Sequence, residues 1–330
     1  MNVSESSLSI KSSLLNDDLL KKRRQNEHFA IFLGVIAQFI WAINSIQLKT
    51  YQKFFPECYS DNSLVFLRSV TICLCGYLFT KKEGVEITPV STIKHKFWFF
   101  ASTAGNYLSI YFWVVFLSYF RVSTCTCISG CSPVFVLILS YFILKETFYL
   151  RYFIGIIICI IGTGIMVSNE KKQDSENNEE MSLSSLILGC IIRFLIIVIN
   201  SFWSFGQKIV CKKINEHVLN YYLGLYNALP ALVMMILENH YGFTNIGYVL
   251  YGLSNGLVFY SANYCNVKAL EYIAISKFIV LTYLCTVFIF IQYILIFPET
   301  SSLSHRLLRS LCFSFPLFRG FFCPISVINF

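Results

Sequence analysis

FAIFLGVIAQFIWAINSIQL, residues 29–48, runs for twenty residues without a charged side chain. At ~1.5 Å rise per residue, a helix of that length spans the ~30 Å hydrocarbon thickness of a bilayer. The stretch must be helical, because in hydrocarbon every backbone N–H and C=O has to find its partner within the segment. Eight further stretches read the same way: 62–80, 97–119, 123–144, 149–168, 184–205, 218–237, 245–267 and 273–297. The chain is 56% hydrophobic and only 13% charged, against ~25% charged residues in soluble domains. Too little polar surface remains to face water, so the reading is an all-α, multi-pass integral membrane protein.

The flanks and loops supply orientation. Residues 1–28 are polar, end in Lys21-Lys22-Arg23-Arg24 and hold no apolar signal-peptide core, so they read as a disordered cytosolic tail with segment 29–48 as the insertion signal. With the N-terminus in the cytosol, the loops holding Lys81, Lys82, Lys94, Lys96, Lys145, Arg151, Lys208, Lys212 and Lys213 fall on the same side. The acidic linker 169–183 falls on the other side. This bias accounts for the net charge of +8, so no nucleic acid is implied. It does not separate plasma membrane from endomembranes. The 13 cysteines show no paired C-x-x-C motifs, and Cys73, Cys75, Cys125, Cys127 and Cys131 sit in apolar runs as packing residues. No metal, cofactor or nucleophile–base pair is expected, and the chain is not read as an enzyme.

The two halves echo each other. Trp41 pairs with Trp203 at an offset of 162, and Glu146-Thr147 with Glu299-Thr300 at an offset of 153. The difference of nine matches one loop, sixteen residues long at 81–96 and seven at 238–244. A five-span unit, 29–168, is thus followed by a second copy, 184–299, in which four spans are clear. A repeat with an odd number of spans inserts its second copy upside down, as in secondary transporters. Residues 300–330 stand where a tenth helix belongs. They carry His305, Arg306, Arg309, Pro316, Arg319 and Pro324 and make a poor span, so they read as an aberrant tail.

The stretch VSTCTCISGCSPVFVLILSYFILKETF (122–148) resembles the fourth helix of the EamA-type drug/metabolite transporter superfamily, with Pro133 within the helix and Glu146 just after it. SLVFLRSV (63–70), with Arg68, resembles the second helix, and ALEYIAIS (269–276) the link into the ninth. The resemblance implies ten helices in two inverted five-helix repeats with the substrate between them, and structural roles for Pro133, Glu146 and Glu299. Tyr226-Asn227 before Pro230 is loosely similar to the Tyr-Asn-Asn helix of nucleotide-sugar carriers, with Ala228 at the second Asn position.

Ionisable groups at membrane depth are functional candidates. Arg68 could meet an anionic substrate; the competing role is snorkelling or a structural pair. The same alternatives hold for Lys277, which sits beside Ser276 on the helix where related phosphate and nucleotide-sugar carriers bind substrate. Tyr226, Asn227, Asn44, Asn106 and Asn263 could hydrogen-bond a substrate or simply bridge helices. Trp41 and Trp203 could wall a pocket or pack. No Asp or Glu lies inside the nine spans, which favours uniport or exchange over proton antiport. The expected function is alternating-access transport of a small organic metabolite, with an anionic or phosphorylated substrate favoured. A non-transporting membrane scaffold derived from a transporter is the alternative. The partners implied are a small-molecule substrate and the lipid bilayer, with a homodimer left open.

Overall fold

The computed structural model describes residues 3–55, 60–87, 93–117, 132–145, 154, 157, 183–238, 243 and 245–296. The fifth span (149–168, two residues apart), most of the 169–183 linker, the 300–330 tail, Glu146 and Glu299 lie outside the described residues. Among the described residues there are eight α-helices and no strand: α1 (Val3–Phe54), α2 (Asp61–Lys82), α3 (Ile93–Leu117), α4 (Ser132–Leu139), α5 (Leu183–Val210), α6 (Glu216–Glu238), α7 (Ile246–Tyr272) and α8 (Ile275–Ile296). A π-turn, Ser140–Leu144, extends α4 and ends at Lys145, whose backbone is left-handed (φ 53°). Pro133 is the second residue of α4, in the first turn of the described part, where its missing N–H costs nothing if a helix begins there.

The helix ends follow local chemistry. The Ser60 side chain caps α2, with Asp61 in its first turn and Lys81 and Lys82 in its last, matching the helix dipole. Asn245 caps α7 by accepting from the N–H groups of Gly247 (2.9 Å) and Tyr248 (3.3 Å). One sequence expectation changes: α1 is helical from Val3, where a disordered tail was expected. No Gly or Pro occurs before Gly34, and Asp17 and Asp18 precede Lys21 and Lys22 by four residues, a spacing that supports a helix.

Among the described residues, three segments are long and apolar enough to cross a membrane: Gln25–Leu48, Asp61–Lys82 and Glu216–Glu238. Helix α7 is less apolar because it carries Asn255, Asn263 and Asn266, all buried. The outer surface is apolar instead: Phe32, Leu78, Phe142, Leu237 and Ile246 are each more than half exposed. In water such a surface would be an aggregation liability; against lipid it needs no cover.

Helix α2 packs on α6 and α7, α3 on α5 and α6, α1 on α7 and α8, and α4 on α5 and α8. The closest contact is backbone to backbone. A Cβ on Gly224 would lie 2.4 Å from the Cys73 nitrogen, and one on Gly76 would lie 2.5 Å from the Tyr221 nitrogen. Gly256 lets α7 approach the Arg68 carbonyl and Thr71 in the same way. Small residues at such crossings supply the packing that membrane helices need when apolar burial gives no drive to associate.

Among the described residues, the ion pairs lie at the bundle's ends. The Lys82 end holds ion pairs of Lys277 with Glu27 and of Lys268 with Glu216 and Glu271. Just inside it, the buried Lys208 ammonium donates to the carbonyls of Leu270 and Ile273, both at 2.5 Å, tying α5 to the α7–α8 corner. The Tyr51 end is closed by Tyr51, Ser60, Ser63, Glu238 and Tyr248.

Candidate functional site

The middle residue of α7 is Phe259. The Trp41 ring of α1 meets it edge to face at 4.7 Å, and the Trp203 ring of α5 meets Trp41 at 6.3 Å, also edge to face. The Arg68 guanidinium of α2 lies over the Phe259 ring, with Cζ 4.6 Å from its centroid. Arg68 is the eighth residue of α2, about 10 Å along it, and is only 4% exposed. Four helices thus converge on one cation and three aromatic rings at mid-height. A desolvated cation–π contact of this kind contributes about 2 kcal/mol and fixes the guanidinium's orientation.

Around this cluster lie buried polar atoms that find no hydrogen-bond partner among the described residues: Asn44 Nδ2, Ser69 Oγ, Trp203 Nε1, Asn227 Oδ1 and Asn255 Oδ1. Leaving such an atom unpaired costs about 1–3 kcal/mol, so five of them suit a region occupied by a polar ligand or water. Asn44 follows Trp41 by one helical turn. Asn227 donates to Asn106 Oδ1 at 3.4 Å, joining α6 to α3. Pro230 in α6 has no N–H to offer the Tyr226 carbonyl four residues earlier, which leaves an extra acceptor beside Asn227.

The structure brings Trp41, Trp203 and Arg68 into one cluster and Asn106 and Asn227 into one pair. The other candidates lie elsewhere. Asn263 belongs to an amide chain: Gln207 donates to its Oδ1 at 2.7 Å, and its own Nδ2 donates to Asn220 Oδ1 at 2.8 Å. Tyr226 stacks with Tyr222 at 6.0 Å and meets Phe100 at 6.1 Å. Lys277, the third residue of α8, pairs with Glu27 at the Lys82 end, and the neighbouring Ser276 is buried there. Arg68 and Lys277 therefore sit at different levels of the bundle.

Three further residues matter to this geometry, of which Phe259 and Asn200 carry no sequence signal and Gln38 reads, like Asn44, as a polar cavity candidate. Phe259 is one of 32 phenylalanines. Asn200 accepts from Ser109 at 2.6 Å, linking α5 to α3 one turn from Trp203. Gln38 donates to Asn266 at 3.3 Å, linking α1 to α7.

Among curated proteins, no sequence matches this chain. A solved crystal structure aligns over 87% of this chain and 94% of its own, with a TM-score of 0.67 and 14% sequence identity. That likeness shows a shared fold. The sequence of residues 28–168 matches the EamA-like transporter family. That match starts at the first apolar stretch of the sequence and ends with the fifth, and it contains Trp41, Arg68, Asn106, Pro133 and Glu146.

Proposed function

We propose that the protein is a secondary carrier that moves a small organic anion by alternating access, as a uniporter or exchanger. The helix packing supports two inverted halves. Exchanging α1–α4 for α5–α8 turns α1–α7 into α5–α3, α2–α7 into α6–α3 and α1–α8 into α5–α4, and returns α2–α6 to itself. Two such halves can rock about a site at mid-height. The basic loops support a cytosolic Lys82 end.

The observation that carries the reading is the buried Arg68 guanidinium, oriented by Phe259 next to Trp41 and Trp203. A substrate phosphate or carboxylate would gain a charge-assisted hydrogen bond there, and the two tryptophans would wall its organic part.

Counterflow in proteoliposomes, with pools of anionic, neutral and cationic metabolites, tests this. Anions should exchange. Arg68→Gln keeps a polar side chain but removes the charge, and should slow exchange by about 30-fold or more, since truncating one partner of a buried charge pair costs about 2 kcal/mol or more. A folded Arg68→Gln protein that exchanges anions at the wild-type rate would refute the proposal.

A further inference from the structure

A second recess opens at the Lys82 end, and none of its lining residues belongs to the mid-height cluster. It encloses about 490 Å³ between the last turn of α2 (Phe79, Lys82, Glu83) and α7 (Tyr260, Ser261, Tyr264, Cys265), with His217 of α6 also in its wall. That volume falls in the ~300–1,000 Å³ range of small-molecule sites.

Its walls are aromatic and aligned. The His217 ring stacks with Phe79 at 5.3 Å and with Tyr264 at 5.0 Å, and Phe79 stacks with Tyr260 at 5.8 Å, with interplanar angles of 20°, 12° and 16°. The Glu83 carboxylate is held in place: Asn215 Nδ2 donates to one oxygen at 2.9 Å, and His217 Nε2 lies 3.2 Å from the other. When Nε2–H donates to Glu83, His217 Nδ1 is left to accept from the Tyr260 hydroxyl, 2.5 Å away. Lys82, next in sequence, is exposed and makes no ion pair among the described residues.

One fixed anion and one free cation thus share an aromatic recess at the level of the charged belt. The flanks beside it, Leu78 and Leu257, are more than half exposed and apolar. A soluble zwitterion would have no use for those flanks, whereas a lipid would lay its chains along them.

We propose that this recess takes the headgroup of a zwitterionic phospholipid, with its phosphate on Lys82 and its ammonium between Glu83 and the aromatic rings. Cation–π attraction and the carboxylate act on the same end of the ligand, and the phosphate takes the remaining charge. The bound lipid bridges α2, α6 and α7. The proposal stands apart from the transport reading, because it invokes no residue of the mid-height site.

The test uses the purified full-length protein in detergent, with lipid binding followed by native mass spectrometry. The probes are short-chain phosphatidylethanolamine, phosphatidylcholine and phosphatidylglycerol, plus phosphorylethanolamine without chains. The two zwitterionic lipids should bind more tightly than phosphatidylglycerol. Lys82→Ala, an exposed position, should weaken them about fivefold, the worth of one interfacial lysine, and Lys82→Arg should restore them. Equal binding of phosphatidylglycerol, or no loss in Lys82→Ala, would overturn the proposal. So would phosphorylethanolamine binding as tightly as the lipids, which would place a soluble ligand in the recess.

Discussion

At the Tyr51 end the helices are pinned by hydroxyls and stacked rings around the Glu238 carboxylate, whereas at the Lys82 end they are pinned by amides and ion pairs. Tyr51 is fully buried, lies 4.6 Å from the Tyr248 ring and 5.1 Å from the Tyr251 ring, and donates to the Tyr248 carbonyl at 3.2 Å. The Tyr248 hydroxyl meets Ser63 and Ser60, and Ser60 and Asn62 donate to Glu238 at 3.2 and 2.6 Å. This joins α1, α2, α6 and α7 at one point. At the other end, Gln38–Asn266, Gln207–Asn263–Asn220 and Lys208 with its two carbonyls form separate links, backed by partly exposed ion pairs. A compact buried cluster opens all at once, while scattered polar links loosen singly as water replaces each. The Lys82 end is therefore the one that yields first.

Thermal unfolding of purified variants sharpens or breaks that contrast. Tyr51→Ala should have the largest effect, a loss of about 3–5 kcal/mol, because it empties a fully packed aromatic position. Asn263→Ala comes next, at about 1–2 kcal/mol, since it strands one amide group on Gln207 and one on Asn220. If it cost as much as Tyr51→Ala, the two ends would be equally cooperative and the contrast would fail. Lys277→Ala should cost least, at most about 0.5 kcal/mol, because its pair with Glu27 is partly exposed and solvent-screened. About 0.5 M salt should erase that small difference and leave the Tyr51 defect unchanged.

The helices themselves were legible in the sequence because an apolar run in hydrocarbon has one way to satisfy its backbone. The expected spans 62–80, 218–237 and 273–297 differ from α2, α6 and α8 by two residues or fewer at each end. The internal offset put Trp41 and Trp203 at equivalent places, and their rings do meet. The depth of Arg68 followed from counting along one helix. Partners across helices were not legible. Lys208 reads as one more loop charge, and nothing local reveals the two carbonyls that hold it inside. His217 falls outside the apolar spans yet is buried, because Phe79, Tyr260 and Tyr264 from two other helices cover it. Lys277 reads as a substrate ligand or a snorkelling lysine, and nothing local reveals that Glu27, 250 positions earlier, is its neighbour.

The central claim is a membrane-crossing bundle of two oppositely oriented halves around a mid-height site. Its most direct test is side-specific labelling in sealed vesicles, with single cysteines introduced at Glu86 and Phe243 in a cysteine-free background. Both positions are exposed, and they follow the equivalent helices α2 and α6. The account predicts that an impermeant thiol reagent reaches one from the lumen and the other from the outside. Labelling of both from the same side would contradict it.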